Sequence, residues 1–215
     1  MGLETENLEQ QLEARDPDVR LMIQVRTDVA GAFETLLERY QNRLVGILFH
    51  LVGNRDEAED LCQEVFLRIY KARKGYRPRA KFSTWLFTIA NNLALNHLRN
   101  KGRNSTVPVG GSASDSKAVA SVAQQLVGRE GTPSTQMRQA ELADLVREAL
   151  AVLNEDQKLA VLLNKFEEMS YAEIADVMGR SPAAVKSLLA RARNQLREQL
   201  EPYLLTGQRG GGGSP

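Results

Sequence analysis

The 215-residue chain is predicted to be all-α, with two small helical domains joined by a flexible linker. Apolar residues recur at steps of three and four along most of its length, which is the period of an amphipathic helix. No alternating apolar and polar run is long enough to indicate a strand. A stretch rich in Gly, Pro, Ser and Thr, from about Asn100 to Pro133, separates two groups of helical patterns. This composition is typical of a linker.

The first long apolar stripe predicts a helix that ends at Gly53-Asn54. The stripe consists of Phe33, Leu36, Leu37, Tyr40, Leu44, Ile47, Leu48 and Leu51. Asp56 is then the predicted N-cap of a second helix, because a side-chain oxygen there can accept free backbone N–H groups. Acidic residues in the first turns suit the positive end of a helix dipole. The predicted buried face of this helix is Ala58, Leu61, Cys62, Val65, Phe66, Ile69 and Tyr70.

A basic loop follows the second helix, and Pro78 disfavours helix within it. Ser83 is the predicted N-cap of a third helix, since a serine hydroxyl is a common helix cap. Trp85 falls on the inward face of that helix and is predicted to be a core residue rather than a wedge between bases. The same face carries Leu86, Ile89, Leu93 and Leu98.

The C-terminal group of patterns has well-defined helix boundaries. Asn154 can cap a helix, with a Gln three residues later. Ser170 and Glu173 form a capping box, in which each side chain accepts a backbone N–H group near the other residue. Gly179 supplies the left-handed residue that ends the short helix. Ser181-Pro182 then begins the last helix, since proline is favoured at a first helical position.

A short helix, a turn with glycine and a longer helix are typical of the helix-turn-helix motif. Val185, Leu189, Ala192 and Leu196 are predicted to face the core. The outer face is then Ala184, Lys186, Ser187, Ala190 and Arg191. No acidic residue occurs from Ala183 to Arg197, so this helix can approach DNA phosphates, with its N-terminal half in the major groove. Lys186 and Arg191 could read guanine edges or bind phosphates.

Positive charge is concentrated in one segment although the whole chain carries a net charge of only +1. Between Val65 and Ser114 there are ten basic residues and no acidic one: Arg68, Lys71, Arg73, Lys74, Arg77, Arg79, Lys81, Arg99, Lys101 and Arg103. Aromatic side chains are interleaved with them: Phe66, Tyr70, Tyr76, Phe82, Trp85 and Phe87. Cations mixed with side chains that can stack on bases indicate nucleic acid binding, often of a single strand.

Other classes of protein are disfavoured. The acidic N-terminus has no apolar segment typical of a signal peptide, and no run of about 18 apolar residues predicts a membrane span. The single cysteine, Cys62, excludes an intrachain disulfide and suits a reducing cytoplasm. His50 and His97 have no neighbouring ligand, so no metal is expected. No cofactor motif or enzyme signature is present, and no catalytic residue is predicted.

Two segments resemble a known family. Ala58 to Phe66 (AEDLCQEVF) and Phe82 to Ala94 (FSTWLFTIANNLA) resemble region 2 of bacterial RNA polymerase sigma factors, most closely the extracytoplasmic-function (ECF) group of the sigma-70 family. Leu153 to Leu200, which includes the segment SYAEIA from Ser170, resembles region 4 of the same group. Both resemblances occur in the expected order. They imply a transcription initiation factor that melts the promoter −10 element and reads the −35 element.

The resemblance implies a role for three sets of residues. The residues that would bind core polymerase are Asp60, Gln63 and Glu64. The residues that would bind −10 DNA, including a base flipped from the non-template strand, are Tyr76, Arg77, Arg79, Lys81, Asn92, Arg99 and Lys101. The residues that would read −35 DNA are Lys186, Ser187, Ala190 and Arg191.

The implied partners are promoter DNA and core RNA polymerase, through its β′ clamp helices and β flap. An anti-sigma protein is a further expected partner, and no membrane insertion is expected. The predicted domains are an N-terminal extension (1–29), a region 2-like domain (30–103), a linker (104–136), a region 4-like domain (137–203) and a disordered Gly-rich tail (204–215).

Two alternative functions remain open at this point. A helix-turn-helix transcriptional regulator that is not a polymerase subunit would share the C-terminal motif, but a response regulator also needs a βα-patterned phosphoacceptor domain, which is absent. A nuclease or helicase accessory protein would need an acidic metal cluster, which is not evident.

Overall fold

The computed structural model describes residues 2–104, 145–146 and 148–206, with side chains described at 7–102, 145–146 and 148–201. No strand occurs in these ranges, which confirms the all-α class. The helices are α1 (Gly2–Arg15), α2 (Pro17–Arg26), α3 (Ala32–Val52), α4 (Arg55–Ala72), α5 (Phe82–Asn104), α6 (Glu155–Phe166), α7 (Tyr171–Met178) and α8 (Pro182–Thr206). They divide between two compact units: the first contains α1 to α5 and the end of α7, and the second contains α6, the start of α7 and α8.

The core of the first unit forms around α3, which packs against α2, α4 and α5. Its fully buried side chains include Met22, Leu36, Leu44, Leu48, Ile69, Phe82 and Leu86. Five of the eight residues in the predicted stripe on the first long helix are buried, and Phe33, Leu37 and Leu51 are half-buried. Helix α3 ends at Gly53 with a left-handed φ of 75°. Glycine adopts that conformation without the steric cost that a Cβ atom would impose. The apolar periodicity therefore identified this core correctly.

Two predicted helix caps are wrong. Helix α4 begins two residues earlier than expected, because the Asn54 side chain accepts the Glu57 N–H at 2.9 Å and acts as N-cap in place of Asp56. Helix α5 begins at Phe82 rather than after Ser83, and the Phe82 N–H donates to Asp16 Oδ2 at 2.9 Å. The acceptor comes from a residue 66 positions away, so local sequence could not reveal it.

Helix α2 is part of the first unit. Its apolar side chains Val19, Met22 and Val25 are buried. The Tyr40 hydroxyl on α3 donates to Asp18 Oδ2 at 2.6 Å, and burial together with this carboxylate raises the pKa of Tyr40. The sequence predicts no role for residues 1–29, and these contacts show that α2 supports α3.

The helices α6 to α8 confirm the predicted helix boundaries. Asn154 and Gln157 form a capping box at the start of α6. Ser170 and Glu173 form another at α7, with the Ser170 N–H donating to Glu173 Oε2 at 2.8 Å. Gly179 has the expected left-handed φ, 62°. Helix α6 packs against α8, and the buried residues include Leu159, Leu162, Leu163, Ile174, Val185, Leu189 and Ala192.

The predicted linker lies outside the described residues except for Asn104, the last residue of α5. Helix α8 continues to Thr206, three residues beyond the predicted end of the C-terminal domain, and the rest of the Gly-rich tail lies outside the described residues. Among the helices described, none is both long and apolar enough to cross a membrane.

Candidate nucleic-acid and protein interfaces

The loop of residues 76–81, called the 76–81 loop here, joins the short 3-10 turn Arg73–Gly75 to α5. Buried and exposed side chains alternate along it. Tyr76 and Pro78 are buried, whereas Arg77, Arg79 and Lys81 are exposed. The buried side chains anchor the loop, and the exposed side chains present three positive charges to solvent within five residues. Such a surface can bind the phosphates of a nucleic acid strand.

Tyr76 lies beneath this surface and not on it. Its side chain is 5% exposed, and its ring contacts the Trp85 ring with 4.9 Å between centroids. Burial raises the pKa of Tyr76, and its hydroxyl is buried without a hydrogen-bond partner among the described residues. The structure thus differs from the expectation that Tyr76 itself faces DNA, because the ring fills the space under the loop.

A polar stripe continues from the loop along α5. Trp85 is half-buried, and Asn92, Asn96 and Arg99 are exposed. These positions are spaced by seven, four and three residues, so they share one helix face over about four turns. Asn96 was missed as a site residue, although its spacing from Asn92 could have identified it. Because Trp85 contacts Tyr76, the stripe begins at the 76–81 loop.

Lys101 lies apart from that stripe. It is nine residues beyond Asn92, about two and a half helical turns, which places it on the opposite face of α5. Its ammonium group donates to Glu57 on α4 at 2.7 Å, and His97 Nε2 is 2.8 Å from the same carboxylate. Partial burial alone would raise the pKa of Glu57, but the bonds from Lys101 and His97 lower it overall. In this structure Lys101 joins two helices and is not grouped with Asn92.

A second candidate surface lies on α4. Asp60 and Gln63 are exposed, and Glu64 is bound to the Arg68 Nε at 2.7 Å. Leu67, one turn further along the same face, is 45% exposed. An apolar side chain with polar neighbours is typical of a protein–protein interface. Leu67 was missed at the sequence level, although its spacing of seven from Asp60 places it on this face.

The third surface is the outer face of α8. Lys186, Ser187, Ala190 and Arg191 are all exposed, whereas Val185, Leu189 and Ala192 are buried. Helix α8 begins with the Ser181 hydroxyl accepting the Ala184 N–H at 3.2 Å. The small side chains of Ser187 and Ala190 let the helix backbone approach a groove closely. This arrangement is typical of a recognition helix.

The described residues include neither a side-chain cluster that could bind a metal ion nor an exposed thiol. Within the described ranges, no group of three His, Cys, Asp or Glu side chains is placed to bind a metal ion. Burial raises the pKa of the Cys62 thiol to about 12, which suppresses the reactive thiolate. The side chains on the three surfaces can bind charged or apolar partners.

Two family models match the chain. Residues 36–104 match sigma-70 region 2, and residues 143–196 match sigma-70 region 4. The first match contains the α4 surface, the 76–81 loop and the α5 stripe, and the second contains the outer face of α8.

Curated relatives match over most of their length. The RNA polymerase sigma-H factor of Pseudomonas aeruginosa is 32% identical over 195 residues, which cover 88% of this chain and 97% of the relative. The ECF RNA polymerase sigma-E factor of Haemophilus influenzae is 32% identical over 187 residues, or 87% of this chain and 97% of the relative. The sigma-E factor of Escherichia coli is 30% identical over 190 residues.

Solved structures have the same fold. The sigma factor RpoE from Bartonella quintana, solved with the anti-sigma factor NepR, matches with a TM-score of 0.61 and 25% identity, over 79% of this chain and 96% of that one. CnrH, solved with the cytosolic domain of CnrY, matches in fold with a TM-score of 0.60 and 22% identity, over 87% of this chain and 99% of that one.

Proposed function

The chain belongs to the ECF group of the sigma-70 family and is an RNA polymerase sigma factor for transcription initiation, and on this premise we propose which surface performs each step. The α4 surface binds the β′ clamp helices of core polymerase. The 76–81 loop and the α5 stripe bind the opened −10 strand, and the outer face of α8 reads the −35 duplex. The proposal depends on a difference in shape between the two cationic surfaces. The 76–81 loop is an irregular segment, whereas the outer face of α8 lies on a regular helix.

The 76–81 loop suits a separated strand. Arg77, Arg79 and Lys81 project from an irregular backbone, which can follow a strand whose bases have left the stack. Flipping a base costs a few kcal/mol of stacking energy, which contacts with Asn92 and the half-buried ring of Trp85 can offset. Tyr76 supports the loop from below, and Arg99 binds a phosphate further along α5.

The outer face of α8 suits an intact duplex. A straight helix with Lys186 and Arg191 near its N-terminal half fits the major groove. The exposed Ser187 and Ala190 between them allow close approach to base edges. The same face cannot enclose a flipped base, because it has no pocket-forming aromatic side chain.

The α4 surface suits a protein partner. Asp60, Gln63 and Glu64 provide a polar rim with negative charge, and Leu67 provides an apolar centre. Opposite charge on a partner helix would guide docking and fix its register.

In this proposal the chain is a binding subunit and not a catalyst, and it works in the cytoplasm. A solved relative binds an anti-sigma factor, so an anti-sigma protein and the polymerase β flap are further proposed partners. A regulator that acts without polymerase is disfavoured by the region 2 match, since such a regulator has no need for a polymerase-docking helix.

The test uses holoenzyme assembled from the full chain and core polymerase. Replacing Arg77 and Arg79 with alanine should reduce strand opening at −10, detected by permanganate reactivity, by about tenfold or more, with −35 binding preserved. Replacing Lys186 and Arg191 should instead weaken binding to a −35 duplex. Arg20→Ala, which removes an exposed charge from α2, is the control and should change neither.

Two outcomes would contradict the proposal. If the Arg77 and Arg79 changes leave opening intact, or affect both DNA elements equally, the division between the surfaces is wrong. If the full chain fails to bind core polymerase and instead binds duplex DNA tightly alone, the α4 assignment is wrong as well.

A further inference from the structure

The two ends of the 76–81 loop are both bound by side chains of the N-terminal segment. At one end, Arg26 Nη1 donates to the Tyr76 carbonyl oxygen at 3.0 Å. At the other end, Asp16 Oδ2 accepts the Phe82 N–H at 2.9 Å. Asp16 and Arg26 lie at opposite ends of α2. One short helix thus spans the loop and fixes the residues at both of its ends.

Asp16 caps two helices with one carboxylate. Its Oδ1 accepts the Asp18 N–H at 2.9 Å and so caps α2. Its Oδ2 binds the first N–H of α5, a group that has no acceptor within its own helix. A carboxylate is favourable at both positions because each helix N-terminus carries partial positive charge.

Arg26 belongs to a small network at the start of the loop. Its Nη1 also pairs with Glu9 at 2.8 Å, which holds the guanidinium in place. Lys74, in the turn before the loop, donates to the Arg26 carbonyl oxygen at 3.1 Å and also binds Asp28. Arg73 Nε binds the same Asp28 at 3.3 Å. The hydrogen bond from Lys74 lowers the pKa of Asp28.

We propose that Asp16 and Arg26 are positioning residues that hold the 76–81 loop in its strand-binding shape before DNA arrives. A loop that is already ordered does not lose its backbone freedom when it binds, so its affinity is higher. The inference rests on the proposed function of the 76–81 loop. Both residues precede the region 2 match, which begins at residue 36, so the family model does not include them.

A general effect on stability is the competing explanation, and α2 itself provides a control. Asp18 accepts the Tyr40 hydroxyl and pairs with Arg39, so it joins α2 to α3 without touching the loop. Asp18→Asn should therefore destabilise the first unit and leave the loop in place. Any change that follows from stability alone will appear in this variant too.

Asp16→Asn is the sharpest variant. Asparagine is as good an N-cap as aspartate, but its amide has one oxygen and cannot accept at both former carboxylate positions. The cap of α2 can remain while the bond to α5 is lost. Arg26→Gln removes the charged donor to Tyr76 at the other end, and Arg26→Lys keeps a charged donor there and should retain part of the function.

The experiment has two readouts on the full chain. The first is hydrogen exchange of the Phe82 amide, which should become faster in Asp16→Asn and remain slow in Asp18→Asn. The second is holoenzyme affinity for a promoter fork with a single-stranded −10 non-template strand. We expect Asp16→Asn and Arg26→Gln to lower that affinity about tenfold, the size of one lost charge-assisted hydrogen bond, with −35 duplex binding unchanged.

Three other outcomes would contradict the positioning role of Asp16 and Arg26, and the last of them would also contradict the proposed function. If Asp18→Asn lowers fork affinity as much as Asp16→Asn at equal melting temperature, or if Asp16→Asn exchanges like wild type and binds normally, the positioning role is wrong. If these variants bind normally while Arg77→Ala with Arg79→Ala does not, the positioning inference fails and the proposed function stands. If the two arginine changes also have no effect, both fail.

Discussion

Tyr76 shows how the role of one residue depends on which way its side chain points. Its sequence context, an aromatic ring among cations, indicates a base-stacking contact. The structure instead buries the ring against Trp85 and leaves the flanking arginines outside. The pattern of a loop does not reveal which of its alternate side chains face the core, because loops lack the fixed period of a helix or strand.

The substitution Tyr76→Phe distinguishes a tyrosine that supports the loop from one that contacts DNA. The hydroxyl is buried and has no partner among the described residues, so Tyr76→Phe should raise the free energy of unfolding by about 1 kcal/mol. Strand opening should stay at the wild-type level, since the ring remains under the loop. Urea unfolding and permanganate reactivity measure the two effects. Reduced opening by a stable Tyr76→Phe variant would mean that the hydroxyl contacts DNA directly.

Tyr70, near the end of α4, is another residue whose side-chain exposure differs from the sequence prediction. Its position in the apolar stripe predicts burial, but it is 42% exposed. The ring lies against Phe33, with 5.0 Å between centroids, and the Arg73 guanidinium is 3.9 Å from the centroid of its ring. The last turn of a helix extends past the core, so the periodic pattern continues beyond the residues that it can bury.

At the scale of elements, the link between α4 and α5 is electrostatic as well as apolar. Glu57 on α4 binds both His97 and Lys101 on α5. Only the fold brings these three residues together, since about 40 positions separate Glu57 from the other two. The family resemblance implies a DNA contact for Lys101, and in the structure its ammonium group binds the Glu57 carboxylate.

The Glu57 link should make stability depend on pH. The fold lowers the Glu57 pKa below its ordinary value of 4.5, so the unfolded chain binds more protons near that pH and stability rises with pH there. Glu57→Gln should cost roughly 0.5 kcal/mol near neutral pH. That difference from wild type should vanish as the pH falls through the lowered pKa, as measured by urea unfolding at several pH values.

The matched control for this prediction is Glu59→Gln. Glu59 pairs with Arg55 within α4, on an exposed surface, so the same charge change should cost less and should not loosen α5. A cost of Glu57→Gln that stays constant from pH 7 to pH 4 would show that the carboxylate charge does not stabilise the fold.

At the scale of the whole molecule, the chain places its two proposed DNA contacts in different units. The 76–81 loop belongs to the first unit and the outer face of α8 belongs to the second. The net charge of +1 limits general attraction to DNA, so binding must come from these local surfaces. Each surface should therefore make its own contribution to promoter binding.

This separation predicts additive energies. Combining Arg77→Ala and Arg79→Ala with Lys186→Ala and Arg191→Ala should lower promoter occupancy by the product of the two separate losses, within about twofold. Holoenzyme titration on one promoter fragment at fixed salt measures all four states. A combined loss much smaller than the product would indicate that both pairs act at a single contact, contrary to the proposed division.

The sequence alone determined the helical class, most of the apolar faces, the Asn154 cap, the Ser170–Glu173 capping box and the family, because these depend on residues a few positions apart. Only the tertiary structure decided that Tyr76 lies under its loop, that Lys101 faces Glu57 and that Asp16 caps α5. Each of these depends on contacts between residues distant in sequence, or on which way a loop turns. Local periodicity carries no information about contacts between distant residues or about the direction of a loop, because both follow from how the helices pack.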